Sequence, residues 1–319
     1  MDILGFIGGL SFFLFGMNVM ETGLKNISGD KIKNTLTRIS GNTFKGVTAG
    51  IIITAVIQSS SAVTVSLIGL CEAELLSFFN SIPIIIGANI GTSVTAWIIS
   101  LSGLSADNFI LKILTPSALC TIAGFIGVLF IILSKNNKRA GTGLIMTGFS
   151  LIMNGINSMS YAMENIADLR LFKSFLSLLN NPFSALLFGI IMTAVIQSSS
   201  ASVGILQSLC ITNAFTIYNV TPIILGQNIG TCITSVLACI GGSKESKKIC
   251  IFHIIFNLTG SVLWFIGLII VNNFISLNRS VSGVDIAVIH TAFNLSTGVI
   301  FSVLHRNFLS RLKFSSEFN

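Results

Sequence analysis

One polar tetrapeptide, Gln-Ser-Ser-Ser, occurs twice in this chain, 139 residues apart and each time inside an apolar stretch. The first copy, Gln58, Ser59, Ser60 and Ser61, lies in GIIITAVIQSSSA, and the second, Gln197, Ser198, Ser199 and Ser200, in GIIMTAVIQSSSA. Residues 50–95 align with 189–234 without a gap, with 25 identities in 46 positions. Within that block PIIIGANIGT (83–92) matches PIILGQNIGT (222–231). The same offset pairs Gly9, Ser11, Gly16, Asn18 and Met20 with Gly148, Ser150, Gly155, Asn157 and Met159. A duplication kept only for packing preserves hydropathy. It does not preserve two identical polar tetrads in surroundings where polar groups are costly. The repeat therefore points to function at both copies.

The surroundings identify the solvent as lipid. Charged residues make up 9% of the chain and the mean hydropathy is +0.89, where a soluble domain carries about 25% charged residues. Several apolar runs approach the ~20 residues a helix needs to cross hydrocarbon. Helices satisfy their own backbone in lipid, and the alternating segments of a membrane β-barrel are absent. The expected spans are 3–24, 82–102, 113–133, 141–163, 221–240, 249–271 and 285–304. Segments 44–71 and 183–210 remain, each 28 residues long. That is too short for two crossings but enough for two half-length helices meeting at the Gln-Ser-Ser-Ser tip, so both read as re-entrant hairpins.

The expected fold is an all-α polytopic membrane protein. It has two repeats, 1–140 and 141–275, each of three transmembrane helices plus a re-entrant hairpin. A last transmembrane helix and short cytoplasmic tail follow in 276–319. An odd number of crossings inverts the second repeat, so the two hairpins enter from opposite faces. With the N-terminus outside and the C-terminus cytoplasmic, the inner loops hold fourteen Lys and Arg residues and the outer side four, as the positive-inside rule requires. Two full crossings in place of the hairpins give the same count, so charge fixes the chain ends only. The KNNKR run at 135–139 favours the hairpins. The net charge of +7 resides in these loops and does not mark a nucleic-acid partner. The first apolar run follows Asp2 with no basic start, so it belongs to the fold and is not a leader. The six cysteines include no CxxC pair and read as small packing residues. An Ile- and Asn-rich, aromatic-poor composition points to a bacterium, hence to its inner membrane.

The tips suit an oxyanion. A half-helix begins at each, and its free N–H groups and positive dipole end favour negative charge. Serine hydroxyls add rotatable donors. Behind each tip, Asn89, Gly91 and Thr92, and likewise Asn228, Gly230 and Thr231, read as breaks in an apolar span. Their oxygens, with those of Thr95 and Thr234, suit a hard cation such as sodium. No Arg or Lys lies in the middle of a span. Co-bound sodium would then supply the positive charge that a buried anion needs, which couples the two.

These motifs, Gln-Ser-Ser-Ser twice with GANIGT and GQNIGT behind them, resemble the type II sodium–phosphate cotransporter family over about residues 5–305. The resemblance implies sodium-driven phosphate symport through inverted repeats with two re-entrant hairpins. It implies phosphate and sodium as partners, sodium as the coupling ion and no other cofactor. It places the phosphate site at Gln58–Ser61 and Gln197–Ser200. Asn89, Gly91, Thr92, Asn228, Gly230 and Thr231 become the supporting breaks. Two departures stand out. A PhoU-like cytoplasmic tail, common in bacterial members, is not expected here. Thr64 and Ser66 become Val203 and Ile205 in the second hairpin, so a sodium site using those hydroxyls is one-sided. A sodium-coupled carrier of sulfate or a small carboxylate fits the same residues. So does a membrane receptor that binds phosphate without moving it. No nucleophile–base pair or metal cluster suggests an enzyme. A homo-oligomer is compatible with the sequence.

Two further motifs, HIIFN (His253, Asn257) and HTAFN (His290, Asn294), each place His and Asn one turn apart on a helix. Hydrogen bonding between helices is the expectation, with proton coupling the alternative. Glu72 and Glu74 have no acidic counterparts in the second copy and read as a solvated cluster at the membrane face.

Overall fold

The computed structural model describes residues 2–38, 42–101, 116–134, 136–166, 169–210, 212 and 214–316. Among them the chain is helical nearly throughout. The first half contains α1 (Asp2–Arg38), α2 (Thr43–Ile57), α3 (Ser60–Glu72), α4 (Phe78–Ser100) and α5 (Pro116–Leu133). The second contains α6 (Asn137–Ile166), α7 (Arg170–Leu179), α8 (Pro182–Ile196), α9 (Ser199–Cys210), α10 (Ile217–Ala238), α11 (Lys244–Phe274) and α12 (Gly283–Ser316).

The two expected hairpins are α2–α3 and α8–α9, each a pair of short helices broken at the tetrad. Five described helices are long and apolar enough to cross a membrane: α1 over 3–27, α4, α10, α11 and α12 over 283–305. The bent pair α7–α8, turning by 108°, raises this to at most six. The expected span 141–163 lies in α6, which carries too many polar residues to count among them. The start of span 113–133 lies outside the described residues, and the apolar part of α5 is short. Helix α7 was not expected. Its sequence, RLFKSFLSLL, sorts apolar and polar residues onto opposite faces, the pattern of a helix lying along a surface.

Glycines set the packing, because helices without a driving force from lipid associate through close backbone contact. Helices α1 and α6 run antiparallel, with Gly9 against Gly155, Gly16 against Gly148 and Gly23 against Gly141. A Cβ on these α1 residues would sit 2.5–2.8 Å from the facing carbonyl oxygens. In contrast, α2 runs parallel to α4. A Cβ on Gly50 would lie 2.2 Å from the Ile84 carbonyl oxygen, and one on Gly87 2.0 Å from that of Val47. The α8–α10 pair repeats this: Gly189 meets Ile223 and Gly226 meets Leu186, both at 2.1 Å. Helix α12 packs on α4 as α11 packs on α10, antiparallel in each case. Every residue of α9 is buried, and a Cβ on Gly204 would press into the Phe13 ring of α1.

The helix breaks expected at Asn89–Thr92 and Asn228–Thr231 are absent. Helices α4 and α10 run through them without interruption. Gly91 and Gly230 instead admit a neighbouring backbone: their Cβ atoms would lie 2.8 Å and 2.5 Å from the carbonyl oxygens of Ile51 and Ile190. All six cysteines are buried and unbridged.

Candidate functional site

Each hairpin turns at its glutamine. Gln58 ends α2 in the left-handed region, φ 60° and ψ 23°. Gln197 ends α8 in the same way, φ 57° and ψ 21°. Both donate their backbone N–H four residues back, to Thr54 and Thr193 respectively, at 2.7 Å. A non-glycine residue held there is strained by ~1 kcal/mol or more, and such strain concentrates at functional sites. Only one other described non-glycine residue, Glu74, shares it.

The serine after each glutamine caps the next half-helix. Ser59 Oγ accepts the Ala62 N–H at 3.1 Å, and Ser198 Oγ accepts that of Ala201 at 3.2 Å. These oxygens are engaged, leaving each hydroxyl a donor. Ser60, Ser199 and Ser200 are buried at the first turns of α3 and α9, whereas Ser61 is half-buried. The tips meet: Ser200 Oγ donates to the Gln58 carbonyl oxygen at 3.4 Å across 142 positions of chain.

Helices α4 and α10 line this junction. Thr95 Oγ1 donates to Gln58 Oε1 at 2.8 Å, while Gln58 Nε2 turns back to the Ala55 carbonyl. The Asn89 and Asn228 amide nitrogens donate to Ile85 and Ile224 at 2.9 Å and 2.8 Å. Thr92, Thr231 and Thr234 hydroxyls likewise donate to carbonyls of their own helices, those of Ala88, Gln227 and Thr231. The threonine donors are thereby consumed and each Asn amide keeps one N–H, while the side-chain oxygen atoms remain as acceptors. That remainder suits a cation more than an anion. The six helices α2, α3, α4, α8, α9 and α10 carry only two charged residues, Lys45 and Glu72, both at ends remote from the tips. No group of three or more His, Cys, Asp or Glu side chains gathers among the described residues.

Three buried polar residues of these helices, Thr54, Thr193 and Gln227, are not among those expected from the tetrads. Thr193 Oγ1 donates to Ser202 Oγ at 2.9 Å inside the second hairpin. In the first hairpin the position equivalent to Ser202 is Val63, and the buried hydroxyl of Thr54, the counterpart of Thr193, has no partner. Both threonines lie in the repeated TAVIQSSSA, so the duplication carried the signal. Gln227 is fully buried with neither side-chain polar atom paired, where the first half has Ala88. Glu72 ties α3 to the start of α11 by accepting the Ser243 N–H at 2.9 Å. That hydrogen bond holds its carboxyl below the usual range.

The profile of the Na+/Pi-cotransporter family matches the chain twice, over residues 12–161 and 151–299. The chain belongs to the Na+/Pi-cotransporter family. The second match begins 139 residues after the first, so the family profile itself resolves the internal repeat. Relatives within reach of the family are of several kinds. The uncharacterized protein YqeW of Bacillus subtilis is 30% identical over 300 residues, covering 94% of this chain and 93% of that one. YjbB of Escherichia coli K12, whose name assigns it to inorganic phosphate export, is 22% identical over 264 residues. That match covers 82% of this chain and 46% of the relative, so the chain spans about half of YjbB. The human sodium-dependent phosphate transport protein 2B is 32% identical over 97 residues, 30% of this chain and 14% of that one. None of the solved structures matches. Membership makes this Na+/Pi-cotransporter family protein a transporter and not an enzyme. With five, or at most six, helices among its described residues long and apolar enough to cross a membrane, it is a multi-pass membrane protein.

Proposed function

We propose that the chain is a sodium-coupled secondary active transporter of inorganic phosphate in a bacterial inner membrane. Phosphate binds between the tips Gln58–Ser61 and Gln197–Ser200, with sodium held by oxygens of Asn89, Thr92, Thr95, Asn228, Thr231 and Thr234. Gly91 and Gly230 serve as close-contact positions, not as breaks. The observation that carries this reading is the hydrogen bond from Ser200 to the Gln58 carbonyl, which brings the two half-helix starts into one place. An anion there meets backbone N–H groups and serine hydroxyls from both sides. Among the described residues, the six helices that form the tips and their neighbours carry only Lys45 and Glu72 as charged side chains, at ends remote from the tips. Sodium ions on the leftover acceptors complete the balance, and each ligand then strengthens the binding of the other.

The halves 1–140 and 141–275 are related by inversion in this reading. Support comes from α1 and α6, which the 139-residue offset relates to each other. They pack antiparallel, and Gly9 on Gly155 becomes Gly148 on Gly16 when the halves are exchanged. That is the self-complementary contact of a two-fold axis in the membrane plane. The N-terminus then lies outside and the C-terminus in the cytoplasm. Net direction follows the gradients.

The test is labelled-phosphate uptake into proteoliposomes. An inward sodium gradient is expected to drive accumulation that falls to background when potassium replaces sodium. Equal uptake in potassium removes the coupling. Sulfate or a small carboxylate displacing phosphate reassigns the substrate, and tight phosphate binding without flux makes the protein a receptor.

A further inference from the structure

His253 on α11 and His290 on α12 belong to neither tip, yet each is buried and hydrogen-bonded through Nδ1 to a serine of the neighbouring helix. His290 Nδ1 lies 3.0 Å from Ser93 Oγ and 3.0 Å from Asn294 Nδ2. Asn294 Nδ2 also donates to the His290 carbonyl at 3.0 Å, and Ser93 Oγ to the same carbonyl at 3.4 Å. Asn294 Nδ2 reaches Ser93 Oγ as well, at 3.3 Å; because an amide nitrogen only donates, we assign Nδ1, which faces it, as the acceptor, and the NMR experiment below tests that tautomer. The proton of the ring therefore rides on Nε2, which is buried and unpartnered. A charged ring would place a second N–H against the Asn294 amide, so this cluster needs neutral imidazole.

The other half repeats the arrangement. His253 Nδ1 lies 2.7 Å from Ser235 Oγ, and Asn257 Nδ2 donates to the His253 carbonyl at 3.0 Å. Cys232, which the 139-residue offset pairs with Ser93, reaches the His253 carbonyl at 3.6 Å. The two His-Asn pairs therefore hold the equivalent helices α4 and α10 within one turn of the same place, the ring of His290 at Ser93 and that of His253 at Ser235, which the offset pairs with Ala96. Helix α12 does for the first half what α11 does for the second, although the repeat in sequence pairs α11 with α5.

The grip lies opposite the site. Ser93 and Thr95 are two residues apart on α4, about 200° around a helix of 3.6 residues per turn. One side of α4 is fastened to His290 of α12, and the other, through Thr95, to Gln58 of the first tip at 2.8 Å. The rotation of α4 about its axis is thus set from behind, and it decides where Thr95 meets the tip.

We propose that His290 and His253 are positioning residues for the phosphate and sodium site. As a neutral acceptor His290 fixes the rotation of α4 against the first tip, and the Ser235–His253 contact holds α10 from the same side. The inference rests on the site reading above and adds the residues that orient it.

The experiment compares His290→Leu, His290→Asn and Ser93→Ala in proteoliposomes. The asparagine keeps an acceptor where Nδ1 stood; the leucine does not. His290→Leu is expected to raise the phosphate KM about tenfold and His290→Asn by no more than about twofold. Ser93→Ala is expected to fall between them, which keeps the test available if the leucine variant does not fold. His253→Leu and His253→Asn are expected to separate in the same order. Asparagine and leucine variants with the same KM overturn the proposal, as does a leucine variant whose loss lies wholly in protein abundance. Nitrogen NMR of 15N-histidine-labelled wild type gives a readout that needs no transport, since the chain has three histidines. A neutral His290 protonated at Nε2 is expected. A ring protonated at Nδ1 overturns the clamp, whereas wild type that carries no phosphate overturns the site reading and leaves the clamp standing.

Discussion

Gln58 and Gln197 end their helices with the same backbone, φ 60° and 57°, yet their surroundings differ. Gln58 is buried, with its side chain held by Thr95 and by its own helix. Gln197 is exposed, and the equivalent Thr234 donates back to its own helix instead. The legs differ in the opposite sense. All of α9 is buried, whereas Val65, Ser66 and Gly69 of α3 are exposed. The repeated tetrad therefore fixes the turn, and the neighbours fix access to it. If the halves are inverted as proposed, one closed tip and one open tip are what a single state open to one side requires.

The comparison can be broken first through what the halves share. Gly87→Ala and Gly226→Ala each drive a methyl into a facing carbonyl oxygen, at 2.0 Å and 2.1 Å. Each is expected to destabilise by about 3 kcal/mol or more, read as loss of monodisperse protein in detergent. Loss in one half alone would mean that the hairpins are held in different ways. Gln58→Ala and Gln197→Ala sharpen the contrast. Both are expected to lower phosphate uptake roughly tenfold or more, as for a lost hydrogen bond to a charged ligand. Only Gln58→Ala should also lower the melting temperature, because only Gln58 is bonded to Thr95. Equal melting temperatures would show that the Gln58–Thr95 contact holds nothing. The smallest effect belongs to the hairpin interiors. Val63→Ser offers Thr54 a partner but removes a fully buried valine side chain, so it is expected to change stability by less than about 1 kcal/mol. Ser202→Val strands Thr193 and is expected to destabilise by about 1–2 kcal/mol, both checked by thermal unfolding.

The paired short helices were legible in the sequence because a polar tetrad halfway along 28 apolar residues interrupts a helix. Their expected limits, 44–71 and 183–210, fall within a residue of the helix ends at 43 and 72 and at 182 and 210. The continuity of α4 and α10 was not legible. A glycine states only that Cβ is missing, which serves an unwound turn or a touching backbone equally well. The discriminating signal was the four-residue spacing of Gly87 and Gly91 opposite Gly46 and Gly50, the mark of two helices in contact. Helix α7 escaped because ten amphipathic residues leave no membrane-length run. The replacement of Thr64 and Ser66 by Val203 and Ile205 was legible as a one-sided difference, whereas the unequal burial of the tips escaped because it also depends on Val63 against Ser202 and Ala88 against Gln227. Such differences acquire meaning only once the helices are placed side by side. The histidine motifs were read as interhelical hydrogen bonds, and the Ser93–His290 and Ser235–His253 contacts are of that kind.

One ligand held jointly by two opposed tips is most directly tested with single cysteines at Ser60 and at Ser199, each in a chain whose native cysteines have been replaced. In oriented membranes the account predicts that Ser60→Cys and Ser199→Cys react with a membrane-impermeant thiol reagent from opposite faces. Phosphate is expected to protect both, and to do so only with sodium present. Reaction from the same face, or protection of one position without the other, would contradict it.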